Sequence, residues 1–294
     1  MLFSGSARER LSPRMTADTT PAPRIASLVP SLTELAVALG LGARLVARTG
    51  FCIHPAAGVA GIAKVGGTKD VNLDKLRRLA PTHVLVNVDE NRLETVEAIR
   101  AWVTAPEIVV THPRTPEDNL ALVDQLAAVF AAESGVAARA ALLREELSAA
   151  LQATGVEAGG TARASQRVLY LIWHDPWMTV ARDTYISRML ARIGWATLPA
   201  LDGGATGKAR YPVVTGAEPW LADVDRILLS SEPFAFTAQH VDEARGICPR
   251  ARVQAVDGEL LSWYGARAVA GLGYLRRLAA AADDNAGDPK PWTS

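Results

Sequence analysis

One phrase recurs in this chain and constrains it more than any other feature. LAPTHVLVN at 79–87 and LADVDRILLS at 221–230 each run from a helix end, through a short turn, into an apolar strand that stops on a small polar residue. Around each phrase the same grammar repeats. In the first half, the apolar strand Ile25–Val29 leads through Pro30 and Ser31 into a helix reaching Leu39, which Gly40 ends. Strands follow near Leu45–Ala47, His83–Val86 and Ile108–Thr111, with helical segments between them. In the second half, Val168–Ile172 opens the series, TYISRMLARIG supplies a helix, and Val253–Val256 closes it before the loop DGELLSWYG and a last helix, ARAVAGLGYLRRLAAA. Neighbouring parallel strands need a crossover, which a helix provides, so strand–helix alternation predicts parallel sheets. Two such series in tandem predict an α/β fold with two lobes.

The connector between the halves sets their joint. EDNLALVDQLAAVFAAESGVAARAALLREELSAALQA, at 117–153, is helix-forming almost throughout, and Gly135 splits it. The expected layout is a disordered leader at 1–23, a first lobe at 24–135, a long backbone helix at 136–154, a link at 155–166, a second lobe at 167–281 and a disordered tail at 282–294. A rigid helical joint predicts closure of small amplitude. Local start signals are a Ser31/Glu34 capping box, Asn72 before LDKLRRLA, and Thr115–Pro116 before the connector.

Composition narrows the function class. The 294 residues suit two domains of roughly 100–150 residues each, and 49% are hydrophobic. Lys plus Arg equals Asp plus Glu at 31 each, so the basic surplus of a nucleic-acid binder is missing. Cys52 and Cys248 lie far apart with no zinc-type spacing. There is no run of about 18 apolar residues to span a membrane. The first 24 residues lack the apolar core of a secretory leader, which leaves a cytoplasmic location open. Walker, HExxH, GxSxG and complete dinucleotide signatures are all missing, so no catalytic residue is assigned.

In open parallel sheets, ligands sit at the carboxyl ends of the strands. That rule selects loops beginning at Pro30, Asn87, His112, Trp173, Ser230 and Asp257. Aromatics crowd the second-half loops: Trp173, Trp177, Phe234, Phe236, Trp263 and Tyr264. Rigid aromatic faces bind flat or apolar ligands at low entropic cost; packing beneath the loops is the alternative role. Charges stand beside them. Asp89, Glu90 and Arg92 follow one strand, Arg114 another, and Arg182 and Asp183 precede a helix. Arginine suits a ligand carboxylate or phosphate, or else an inter-lobe salt bridge. The candidate contacts are therefore Ser31, Phe51, Asn87, Glu90 and Arg92 from the first half. From the second half they are Trp173, Trp177, Arg182, Ser231, Trp263 and Tyr264. Cys52 and His54 could ligate a metal only with a third group, such as His112 or His174, so packing and hydrogen bonding are the expected roles.

RIASLVPSLTELAVALGLGARLVARTGFCIHP, KVGGTKDVNLDKLRRLAPTHVLVN, the long helix, LIWHDPWMT and DGELLSWYG together resemble the helical-backbone substrate-binding proteins of ABC importers, of the cobalamin and ferric-siderophore type. The resemblance covers about residues 24–280. It implies two Rossmann-like lobes, a cobalamin-like or iron-chelate ligand in the inter-lobe groove, no built-in cofactor, no catalysis, and a periplasmic or cell-surface location. It places Thr68 where cobalamin binders carry a first-lobe aromatic, Tyr211 where they carry a second-lobe tryptophan, and Glu259 at an acidic position of the last loop. It also implies docking on an ABC permease through one acidic residue per lobe. Asp74 matches the first; Ala217 occupies the second, with Glu218 beside it. The chain is expected to act as a monomer. Two alternatives stay open: a cytoplasmic corrinoid or metal-chelate binder with no transporter, and an α/β enzyme using the same cleft.

Overall fold

A computed structural model describes residues 21–155, 165–204 and 207–283. Most of the expected leader, link and tail therefore lies outside the described residues. The first half runs β1 (Ile25–Ser27), α1 (Pro30–Ala38), β2 (Leu45–Arg48), α2 (Ala56–Val59), β3 (Ala63–Lys64), α3 (Leu73–Arg78), β4 (His83–Asn87), α4 (Leu93–Arg100) and β5 (Glu107–Thr111). Helices α5 (Asp118–Val129) and α6 (Val136–Ala153) follow. The second half runs β6 (Gln166–Leu171), α7 (Tyr185–Ala191), β7 (Trp195–Thr197), β8 (Arg226–Ser230), α8 (Ala238–Ile247), β9 (Arg252–Val256), α9 (Gly258–Ser262) and α10 (Arg267–Asp283). Among the described residues no helix is long and apolar enough to cross a membrane.

Both sheets are parallel, as the strand–helix alternation predicts. The first has the order β3-β2-β1-β4-β5 and the second β7-β6-β8-β9. Ile25 pairs with His83, and Val168 with Arg226. The central strand β8 is buried along its whole length, as a strand covered on both faces must be.

Two-residue alternation divides the apolar side chains between faces. In the first sheet Ala26, Val84 and Val86 form one cluster with Leu76 and Ile99. Ile25, Leu85 and Val109 point the other way. In the second sheet Leu169, Leu171, Ile227 and Leu229 pack on their own side, while Val168, Tyr170 and Leu228 point away. The outward sets from both sheets join one core with α1, α5, α6, α7 and α10. Leu272, Leu275 and Leu278 of α10 belong to it, each worth roughly 1.5–3 kcal/mol when buried. The two lobes therefore share a core, and α6 is packed into it rather than being a free strut.

Several local expectations hold. Asn72 Oδ1 accepts from Lys75 N at 2.8 Å, and Gly135 turns with φ +81° ahead of α6. Others change. Ser31 and Glu34 form no capping box, because the chain passes from β1 into a buried first turn with no side-chain cap. Glu34 instead reaches Arg267 of α10, at 2.8 and 3.0 Å. The segment DGELLSWYG is not a loop. Asp257 Oδ1 accepts from Leu260 N at 3.0 Å and caps α9. The last helix also runs past residue 281, to Asp283.

Candidate functional site

In each sheet the connections reverse direction between two central strands, β1 and β4 in the first and β6 and β8 in the second. Such switch points open a crevice at the carboxyl ends. Here the four strand ends deliver the start of α1, the loop 87–92, Trp173 and the loop 231–236 to one gap.

Asn91 organises the first side. Its Oδ1 accepts from Asn87 N at 2.9 Å, and its Nδ2 donates to Leu28 O at 3.2 Å and Thr68 O at 2.9 Å. One side chain thus ties together the ends of β1 and β4 and the turn carrying Thr68. Asn87 is buried and spends its Oδ1 on Asp89 N at 2.8 Å. It shapes the loop rather than facing the gap. Ser31 is buried as well.

A chain of charges crosses from one lobe to the other. His112 Nε2 lies 3.3 Å from Asp89 Oδ2, and Arg210 Nε lies 3.2 Å from Asp89 Oδ1. Arg210 Nη1 then reaches Asp183 Oδ2 at 3.3 Å, which Arg114 Nη2 also meets at 3.0 Å. Asp183 Oδ1 accepts from Gly203 N at 2.8 Å. Burial pushes the Asp183 carboxyl up, but the Gly203 N–H and the charges of Arg210 and Arg114 outweigh it and hold the group below the usual range. Tyr211 packs beside this chain, its phenol pushed up by burial and then by the Asp89 charge. Of the candidate arginines, Arg114 proves to be an inter-lobe staple. Arg182 is exposed, and its Nε donates to Thr197 O at 3.3 Å, in edge strand β7.

Three glutamates continue the floor. Glu90 Oε1 accepts from Tyr264 Oη across the lobes at 2.7 Å. Burial, with the Glu232 and Asp89 charges adding to it, pushes Glu90 up to about 7. Glu232 Oε1 accepts from Ser262 Oγ at 2.7 Å and Trp263 Nε1 at 2.6 Å, and burial raises this group too. Glu259 meets Arg267 Nη1 at 2.8 Å and His54 Nε2 at 3.1 Å. Ser231 Oγ accepts from Gly258 N at 2.8 Å, joining the β8 loop to α9.

The aromatic residues separate into two sets. Trp263 is only 6% exposed: Arg267 covers its ring at 4.7 Å and His54 meets it edge-on at 5.5 Å. Tyr264 is buried against Tyr185. Both are candidate contact faces by sequence; in the structure α9 and α10 fold both rings inward. Trp177 stacks on Phe236 at 5.8 Å and packs with Phe234 against the second-lobe core. Trp173, by contrast, is 42% exposed, and Phe51, just past β2 of the first sheet, is 63% exposed. Phe51 lies over Gly67, where an added Cβ would come 3.3 Å from its Cε2. It therefore stands beside Thr68.

Arg92 is exposed and lines an open groove of about 570 Å³ with Lys69, Asp70, Glu94 and Thr95. Asp74 projects from the first turn of α3. Glu218 does not project in the same way. Its carboxylate accepts from Thr215 N, Thr215 Oγ1 and Gly216 N at 2.7, 2.9 and 3.0 Å and is spent on its own turn. Cys52 and Cys248 are free and buried. Among the described residues no group of three or more His, Cys, Asp or Glu could hold a metal ion. His112 goes to Asp89 and His174 to Glu243 instead.

Sequence reasoning missed Asn91, Arg210 and Glu232 as site residues. The four-residue spacing of Asn87 and Asn91 after a strand, and the SSEP run containing Glu232, were visible signals. Arg210 has no local signal at all.

The sequence model of a family described as periplasmic binding protein matches residues 25–245. No curated protein matches the chain. Among solved structures, a periplasmic vitamin B12 binding protein of Vibrio cholerae is 20% identical with a TM-score of 0.71, covering 90% of this chain and 99% of that one. A periplasmic heme-binding protein from Pseudomonas aeruginosa is 21% identical with a TM-score of 0.71, covering 92% and 95%. A periplasmic heme-binding protein from Roseiflexus is 21% identical with a TM-score of 0.69, covering 90% and 99%. At these identities the likeness speaks for the fold.

Proposed function

The chain belongs to the periplasmic binding protein family, and from that premise we propose that it captures a cobalamin-like or iron-chelate ligand between its lobes for an ABC importer. It acts by binding and carries out no chemistry. The observation that carries this reading is the pair of open aromatic faces, Phe51 and Trp173, one at the carboxyl ends of each sheet. Solvent-exposed aromatics on opposite sides of a polar floor suit a broad, flat ligand held edge-down. The printed ligands of the similar structures, vitamin B12 and heme, are of that shape. Thr68, Tyr211, Arg92 and Glu259 then border the ligand, and Trp263, Tyr264 and Asn87 hold its walls in place.

The remaining expectations follow from the same premise. The protein works outside the cytoplasm as a monomer, with the lobes divided at the backbone helix. Asp74 is free to meet a permease cation. Glu218 meets one less readily, since its own turn already satisfies it.

The test is titration of the purified protein with cyanocobalamin and with hemin, followed by tryptophan fluorescence and absorbance. Phe51→Ala and Trp173→Ala should each weaken binding by about fivefold, the equivalent of roughly 1 kcal/mol of aromatic contact. Their melting temperatures should not move, because neither ring is buried. Absence of micromolar binding to both probes, or unchanged affinity in both variants, rejects the reading.

A further inference from the structure

Glu90 and Glu232 are not accounted for by packing. Glu90 leaves β4 and Glu232 leaves β8, so each lobe contributes one carboxylate to the floor. Every hydrogen-bond donor they meet is neutral: Tyr264 Oη for Glu90, and Ser262 Oγ and Trp263 Nε1 for Glu232. Their neighbours Asp89, Asp183 and Glu259 each have a cation within ion-pair distance. Among the described residues neither Glu90 nor Glu232 has one; Lys69 acts on Glu90 only from farther away. Two partly desolvated carboxylates of like charge, one from each lobe, destabilise the unliganded protein.

Acceptors without a cation are the complement of a carboxamide NH₂, which donates, or of a cationic group. We propose that Glu90 and Glu232 set the charge class of the ligand, taking a macrocyclic metal chelate whose edge carries carboxamide or cationic groups and rejecting one edged with carboxylates. This rests on the reading of the gap as the site of a metal chelate. Among such chelates it favours a corrinoid, whose rim is neutral carboxamide, over heme, whose two propionates would meet the glutamates with like charge.

The experiment compares wild type with E90Q/E232Q, each titrated with cyanocobalamin and with hemin at pH 8, and records the melting temperature of each unliganded protein. Glutamine keeps an oxygen for Tyr264 and Trp263 and removes only the charge. Wild type should prefer cyanocobalamin by roughly tenfold or more, and the double variant should narrow that preference by about tenfold. The unliganded variant should also melt higher than wild type, since it loses a repulsion that only the ligand relieves. Equal or tighter hemin binding by wild type, an unchanged preference in the variant, or a lower melting temperature overturns the inference while leaving a chelate site standing. Failure of both probes to bind wild type removes the chelate reading itself, and this inference with it.

Discussion

Replacing Arg210 by methionine tests whether the charges crossing the gap hold the lobes together. The guanidinium is 1% exposed. It meets Asp89 Oδ1 at 3.2 Å and Asp183 Oδ2 at 3.3 Å, and donates to Gly204 O at 2.7 Å and Asp183 O at 3.3 Å. Methionine keeps much of the stem and deletes every one of these contacts. Breaking a buried ion pair by removing one partner costs about 3–5 kcal/mol, because the other charge is left behind. Here the remaining charges keep some relief. Asp183 retains Arg114 and the Gly203 N–H, and Asp89 retains His112 and partial contact with water. The expected loss is therefore about 3 kcal/mol, the lower end of that range. Equilibrium denaturation in urea at pH 7 measures it. Arg114→Met is the control: that side chain is 40% exposed, and its loss should cost less than about 1 kcal/mol. The pH dependence gives a second readout. Asp183 has a depressed folded pKa, so its contribution is present above the unfolded value near 4 and is lost as pH falls through the folded one. Without Arg210 the folded value rises, and the acid limb of the stability curve should become shallower. If Arg210→Met lies within about 1 kcal/mol of wild type, or Arg114→Met costs as much, the lobes are held by their shared core alone.

Three further outcomes are expected. Trp263→Ala should cost about 3–5 kcal/mol in a denaturation experiment, since the ring is buried and also ties down Glu232; an unchanged melting temperature would return Trp263 to the role of open contact face. Glu90, facing Tyr264, Asp89, Glu232 and Lys69, has a folded pKa of about 7, raised above the ordinary 4.5. The folded protein therefore keeps a proton there that the unfolded chain has already lost, and stability should fall as pH rises between those two values, by on the order of 1–3 kcal/mol for a partly exposed group. Glu90→Gln should flatten that slope, so parallel wild-type and variant profiles between pH 5 and 8 would contradict the assignment. Gly66→Ala should destabilise by roughly 2 kcal/mol or more, because φ is +101° and the new Cβ would sit 2.2 Å from Asp70 O. The same change should loosen the turn carrying Thr68, readable as faster amide exchange at Thr68 and Lys69.

Much of this protein is written locally. Strand–helix alternation, the Asn72 cap, the left-handed Gly135 and the hydrophobic runs of the central strands act over a few residues, so parallel sheets and two lobes could be read from the chain. The strand-end rule also located the gap, because it depends only on strand direction. The capping box failed for a non-local reason. Glu34 has Arg267 as partner, 233 positions away, and a side chain with two possible partners goes to the one that the fold brings near.

The same limit governs the site. Trp173 and Trp263 look alike in the sequence, each an aromatic in a polar stretch after a strand. One is open and the other buried, because Arg267, His54 and Glu232 converge on Trp263 from three different elements. Phe51 stays open above Gly67, and Arg210 became the link between lobes through aspartates from both sides. The chain by itself determined its elements, the direction of its strands and the crevice where they end. Only the tertiary structure decided which rings stay open and which carboxylates lack a cation. Exposure and charge pairing depend on residues that are remote in sequence and meet only when the two halves close over a common core.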